Sequence, residues 1–194
     1  MPKPADAAKP TRKDLRESPA LSILRNGPDR FEGRKLGVLV TDGVSAELIR
    51  ALRSEFEGAG AMVEIVAPEV GGVEASDGSW IVGNEKIDGA PSVLYDAVAV
   101  FPSAKGGEAL AKSPAAKDFV TDAFVHCKFI ACTAEAQPLF RKAGIAEDLD
   151  DGVFALRSRD DIGAFLQACG KLRHWDRGAK AGHPRAFSEQ ERRS

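Results

Sequence analysis

Four short, largely apolar runs constrain this chain more than anything else in it: Leu36 to Val40, Met62 to Ala67, Ala97 to Phe101 and Phe129 to Cys132. A strand with one wet face alternates apolar and polar residues. A strand covered on both faces reads as a nearly continuous apolar run, which is the mark of a parallel sheet under helices. Between the runs, apolar residues recur at helical spacing instead: Leu48, Ile49, Leu52 and Phe56, and later Ala115, Ala116, Phe119, Val120, Ala123 and Phe124. Strand, amphipathic helix and strand within the 35 residues from Arg34 to Pro68 form a βαβ unit, whose crossover is almost always right-handed. Repetition of that unit predicts an α/β fold, a doubly wound and mostly parallel sheet sandwiched by helices, flavodoxin-like in outline.

The breaks between elements carry the local chemistry of turns. Gly58 and Gly60 end the first helix, Pro68 stops the second strand and Pro102 closes the third apolar run. Asp77-Gly78, between Gly71–Ser76 and Ser79–Val82, predicts a β-hairpin, a small excursion from the main sheet. Gly106-Gly107 reads as a flexible turn ahead of the Ala115–Phe124 helix. A helix ending near Gly144 follows the Phe129–Cys132 strand, and Gly152 to Leu156 reads as a short edge strand. Ser158 caps a final helix, with Asp160 and Asp161 in its first turn and Ile162, Phe165, Leu166, Cys169 and Leu172 as its stripe. At the front, residues 1–17 are rich in Pro, Ala and charge and read as an arm. Ser18 and Pro19 start one helical turn whose Leu21 and Leu24 pin that arm. The expected organisation is an arm over residues 1–33, an α/β domain over 34–177 and a flexible tail over 178–194, with the chain loose after Trp175.

Composition excludes several functions. A chain of 194 residues that is 43% hydrophobic can bury one sizeable core, and 29% charged residues keep it soluble. A net charge of −2 gives no attraction to nucleic acid or to an anionic membrane. No apolar run reaches the roughly 20 residues of a membrane span. The N-terminus lacks the apolar core of a signal peptide. Cys127, Cys132 and Cys169 are odd in number and lack ligand spacing, which fits a reduced, cytoplasmic protein. His126, His174 and His183 are scattered, so no metal site is expected.

In an open α/β sheet, chemistry gathers where central strands end. Three places qualify. Thr41-Asp42-Gly43-Val44-Ser45 follows the first strand but lacks the glycines of a dinucleotide fingerprint, so Gly43 serves the turn and Ser45 caps the helix. Asp42 is no phospho-acceptor, because Phe101-Pro102 stands where a receiver-type pocket needs a second aspartate. Gly106-Gly107 could offer N–H donors to an anion, although turn chemistry explains it as well. Cys132 precedes the turn residues Thr133 and Ala134 and reads as a small core hydrophobe rather than a nucleophile. Cys127 adjoins His126, yet neighbours on a helix point to different faces. Cys169 lies on an apolar stripe.

Order and length of elements, with Lys35–Val44 and Gly60–Pro68, resemble the DJ-1/PfpI group of class I glutamine-amidotransferase-like folds. Within that group the similarity is closest to the C-terminal domain of large-subunit catalases. It is carried by Ser18–Leu24, Gly33-Arg34-Lys35, Val73–Gly78, Gly89-Ala90-Pro91-Ser92, Tyr95-Asp96-Ala97-Val98 and Arg173-His174-Trp175, and covers roughly residues 18–177. Active DJ-1-like proteins carry an elbow cysteine, a glutamate after the first strand and a Gly-Gly oxyanion turn. Here Ala134 takes the elbow position. The acid position falls at Val44–Ala46, with Glu47 beside it, and Ser103-Ala104 replaces the Gly-Gly turn. The resemblance therefore implies no catalytic, cofactor-binding or metal-binding residue in this chain. It implies haem, with its tyrosine ligand and distal histidine, in an upstream barrel domain. The one tyrosine here, Tyr95, lies in a loop without a haem-pocket motif. The implied partners are the upstream catalase domain, the other subunits of a homotetramer and unfolded client proteins. The implied role is accessory: stabilising the oligomer, controlling access to the haem channel or holding clients as a chaperone. The rival reading is a free-standing DJ-1-like enzyme using Cys132 as a hydrolytic, glyoxalase-type or redox thiol. A flavodoxin-like nucleotide binder has only topology behind it.

Overall fold

The apolar runs become adjacent parallel strands in a computed structural model, which describes residues 8–10, 12, 14–157 and 159–180. The main sheet uses β1 (Lys35–Val40), β2 (Met62–Ala67), β5 (Glu85–Lys86), β6 (Ala97–Phe101), β7 (Ile130–Cys132) and β8 (Val153–Ala155). Their order is β5-β2-β1-β6-β7-β8, with every pairing parallel. A separate antiparallel hairpin joins β3 (Gly72–Glu74) to β4 (Trp80–Val82) through Asp77-Gly78. The helices are α1 (Ala46–Gly58), α2 (Ala104–Leu110), α3 (Pro114–Val125), α4 (Gln137–Ala143), α5 (Arg159–Cys169) and α6 (Trp175–Lys180).

Two cores form because successive side chains of a strand point to opposite faces. On one face Leu36, Val38 and Val40 pack with Ile49, Leu52 and Phe56 of α1 and with Ile162, Phe165 and Cys169 of α5. Phe56 and Phe165 meet at 5.5 Å between ring centroids. On the other face Leu39, Val98, Val100 and Ile130 pack with Phe119 and Val120 of α3 and with Leu139 and Phe140 of α4. Gly37 belongs to this second face, and the Tyr95 ring lies so close over it that a Cβ would sit 2.4 Å from Cδ2. Helix ends follow the sequence. Ser45 Oγ accepts from Leu48 N, Ser113 Oγ accepts from Ala116 N, and Gly144 terminates α4 at φ 76°.

Four expectations need correction. Gly106 and Gly107 are not a turn: both lie inside α2 and are buried. A Cβ on Gly106 would meet Thr41 Oγ1 at 1.8 Å, and one on Gly107 would meet the Glu135 carbonyl at 2.0 Å. The glycines are there because the helix presses against two other turns. Second, the chain is not loose immediately after Trp175, since residues 175–180 form α6; α5 is therefore not the final helix. Third, Pro19–Leu21 is a single 3-10 turn that Ser18 does not cap with its side chain. Fourth, Leu21 and Leu24 are 86% and 71% exposed, so among the described residues they pin nothing. The expected cap at Ser158, the scattered His183 and most of the expected tail lie outside the described residues.

Candidate functional site at the sheet switch point

From β1 the chain moves outward to β2 on one side, and β6 returns on the other side of β1. The switch point thus lies between the carboxyl ends of β1 and β6, where open α/β sheets hold ligands. Thr41 follows β1, Ser103 follows β6 and Thr133 follows β7. The Ser103 N–H donates to Thr41 Oγ1 at 2.9 Å, and the two hydroxyl oxygens lie 3.4 Å apart. Ser103 Oγ also accepts from Gly106 N at 3.1 Å, capping α2. The position that the resemblance assigns to an oxyanion turn is therefore a hydroxyl pair already committed to holding strands and helix together. Sequence reading missed this pairing, because it joins residues 62 apart.

Asp42 is likewise committed. Its Oδ1 accepts from Glu74 N at 2.9 Å, while the Gly43 N–H donates to the Glu74 carbonyl at 2.7 Å. The turn after β1 is thereby tied to the hairpin. Glu47 is exposed and lines a shallow groove with Arg50, Ser54 and Arg157, apart from the small cavity that Ser103, Thr133 and Glu135 share. That cavity is about 250 Å³. Thr133 Oγ1 is buried there without a hydrogen-bond partner among the described residues. A wider cleft of about 1350 Å³ opens beside it, between Thr41, Ser103 and Lys105 on one side and Val70, Trp80 and Lys86 on the other.

Cys132 is 6% exposed and packs in the second core with Ala136 and Leu139. Burial pushes its thiol up to about 11, the opposite of what a nucleophile needs. Ala134 opens a 3-10 turn over residues 134–136 and is not in the left-handed region. Among the described residues only Cys127 and Leu172 combine a side chain with positive φ, so no strained elbow stands at the end of β7. Cys127 is buried just past α3, where its carbonyl takes the His174 N–H at 2.7 Å. Cys169 is fully buried, and burial raises its thiol well above the ordinary range. Among the described residues no group of three His, Cys, Asp or Glu side chains could hold a metal ion. No helix described is long and apolar enough to cross a membrane. Among the described residues the site presents the hydroxyls of Thr41, Ser103 and Thr133, with the Cys132 thiol buried and raised.

The other polar cluster in the interior was not visible in the sequence. Arg177, on α6, is 3% exposed. Its Nε and one terminal nitrogen clasp both oxygens of Asp150 at 2.8 Å, and its other nitrogen donates to the carbonyls of Lys128 (2.8 Å) and Phe124 (3.1 Å). The guanidinium also lies 4.2 Å from the Phe124 ring centroid. Lys128, equally buried, reaches the other way and donates to the carbonyls of Ser92 and Tyr95. These groups fasten α6 and the 92–95 turn to the base of β7.

A family described as the C-terminal domain found in long catalases matches residues 32–179. The chain is 53% identical over 177 residues to Catalase C of Rhizobium meliloti (strain 1021), covering 91% of this chain and 25% of that protein. It is 33% identical over 169 residues to Catalase HPII of Pseudomonas putida, covering 86% and 23%. Against Catalase HPII of Mycobacterium avium it is 37% identical over 138 residues, covering 69% and 20%. The chain thus spans a quarter or less of the length of these curated relatives. With the matched region running from the end of the arm through α6, the chain belongs to the family of C-terminal domains found in long catalases.

Proposed function

We propose that this chain is a non-catalytic accessory domain of a long catalase, with residues 34–177 as the domain, residues 1–33 as the connecting arm and residues 178–194 as a flexible tail. Its scaffold is DJ-1/PfpI-like, with the catalytic positions vacated. The observation that carries this reading is the end of β7: a buried Cys132 with a raised thiol pKa, followed by an unstrained Ala134. Tyr95 is 2% exposed with its ring packed over Gly37, so it cannot reach a metal in a cofactor pocket. Peroxide decomposition belongs to the haem-bearing remainder of the polypeptide, in a cytoplasmic homotetramer.

The accessory role is to steady that assembly. Leu15, Leu21, Ile23 and Leu24 on the arm are all more than half exposed and supply apolar contact surface toward the catalase body. Trimming the matching C-terminal quarter from a long catalase tests this. Peroxide turnover per haem is retained, while thermal resistance and the tetramer weaken. Unchanged stability and assembly, or peroxide decomposition by this chain alone, would refute it. Holding of unfolded clients is a further part of the role; excess chain suppresses aggregation of a heated client protein, and no suppression removes that part.

A further inference from the structure

We propose that the outer edge of β4 docks against the same edge of a second copy of this chain, joining two hairpins into one four-stranded antiparallel sheet. The inference rests on the accessory-domain reading, in which several copies are held in one assembly.

Among the described residues nothing pairs with this edge. The Ala75 N–H donates to the Ser79 carbonyl at 2.8 Å and the Gly83 N–H to the Gly71 carbonyl at 3.2 Å, with Val73 opposite Ile81. Peptide groups in an antiparallel ladder alternate in direction. Those of Ser79, Ile81 and Gly83 therefore face β3, and those of Trp80 and Val82 face outward. The side chains follow the same alternation. Ile81 packs against the first core, whereas Trp80 is 61% and Val82 66% exposed. The indole is held in place by its Nε1–H, which donates to the Gly71 carbonyl at 3.1 Å.

Exposed edges are ordinarily guarded by charge, proline or a bulge. Ser79 to Gly83 has no charge and no proline. The two edges of the main sheet are better protected. The β5 edge is two charged residues, Glu85 and Lys86. Along β8 the Val153 N–H is taken by the Asp150 carbonyl, and just past it the Arg157 N–H by Asp161 Oδ2.

A second copy is the occupant because the edge is self-complementary. Outward residues flank Ile81 on both sides, so a two-fold axis at Ile81 sets each Trp80 opposite Val82 of the other copy. Both such pairs exchange two hydrogen bonds, and each indole lies beside a valine. This is an isologous contact of the kind that closes a dimer. No charged side chain lies on β4 to oppose it. Its size is the limit. A three-residue edge with a few exposed apolar side chains falls well short of the roughly 800 Å² per partner of a stable complex. The contact is therefore weak between free chains and firm when a larger assembly holds two copies close.

Sedimentation of the full chain from micromolar to millimolar concentration, with site-resolved amide exchange at both ends of the range, tests this. The expected result is reversible monomer–dimer behaviour near the upper end, with exchange at Trp80 and Val82 slowed and exchange at Ile81 unchanged. Val82→Lys abolishes the dimer without lowering Tm, since its side chain is exposed, and Trp80→Lys abolishes it as well while also removing the indole bond to Gly71. A monomer at every concentration overturns the inference. So does a dimer that leaves the Trp80 and Val82 amides unchanged, or protection of those amides in the monomer. Because this uses the chain alone, failure here leaves the accessory role to its own test on trimmed catalase.

Discussion

Replacing Arg177 by alanine would leave a buried carboxylate without its partner. Asp150 and Arg177 side chains are each 4% exposed, and the guanidinium serves both carboxylate oxygens and two main-chain carbonyls. Removing one member of a buried pair costs about 3–5 kcal/mol, most of it the stranded charge. For a domain of this size each kcal/mol is worth about 2–4 °C, so Tm should fall by about 6–20 °C. The double variant Asp150→Asn, Arg177→Met removes the stranded charge and should recover a large part of that loss. The effect also depends on pH. Burial disfavours the charged form of Asp150, but the Arg177 hydrogen bonds, the Gly152 N–H and the Arg177 charge outweigh it and hold the carboxyl below its ordinary value. A carboxyl depressed in the folded state contributes stability above its unfolded pKa and loses it as pH falls through the folded value. In the variant burial acts on Asp150 without Arg177 to offset it and raises its carboxyl relative to wild type, so the gap should be largest at neutral pH and narrow as pH falls toward and through the carboxylate range. Urea melts at pH 7 and in acid measure both quantities. A loss under about 1 kcal/mol at pH 7, or a gap that does not narrow in acid, refutes the claim that this pair fastens α6.

Three further outcomes follow from the same geometry. Gly106→Ala sets a Cβ 1.8 Å from Thr41 Oγ1 and should cost about 1–3 kcal/mol or more, read as a lower urea midpoint with unchanged slope. Gly163→Ala on α5, where a Cβ meets nothing, should be neutral or stabilising by up to about 1 kcal/mol in the same assay. Burial, with the nearby Arg173 charge, lowers the Lys128 ammonium to about 8. The unfolded chain then binds more protons than the folded one between about pH 8 and 10.5, so this residue's contribution should rise across that window. An NMR titration of the lysine side chain gives the pKa directly, and an ordinary value near 10.4 would contradict the burial of the amine.

Parallel strands were legible because burial on both faces writes itself into four residues at a time, and the hairpin because Asp77-Gly78 has few other uses. Capping at Ser45 and termination at Gly144 are equally local. What escaped the sequence depends on residues far apart. Gly106-Gly107 has the propensity of a turn, and only the approach of Thr41 and the Glu135 carbonyl turns the missing Cβ atoms into a packing requirement. The region after Trp175 has the composition of a loose tail, yet Arg177 reaches back 27 residues to Asp150 and fixes α6. Conversely, Leu21 and Leu24 suggested an anchored arm, because an apolar residue implies burial only when something is present to cover it. The burial of Cys132 could be read from its place in an apolar run. The Thr41–Ser103 pairing that now occupies the switch point could not.

On the proposed accessory role, the strand-to-helix turn after β7 carries no working nucleophile. Alkylation of the folded chain with iodoacetamide at pH 7, followed by mapping of the modified cysteines, tests it most directly. With its thiol near 11, Cys132 is about 0.01% thiolate at that pH, against about 3% for an ordinary cysteine. Cys132 should stay unmodified until the chain is unfolded and then react like any other thiol. Rapid, selective labelling of Cys132 in the folded protein would contradict the account and restore the reading of an active DJ-1-like enzyme.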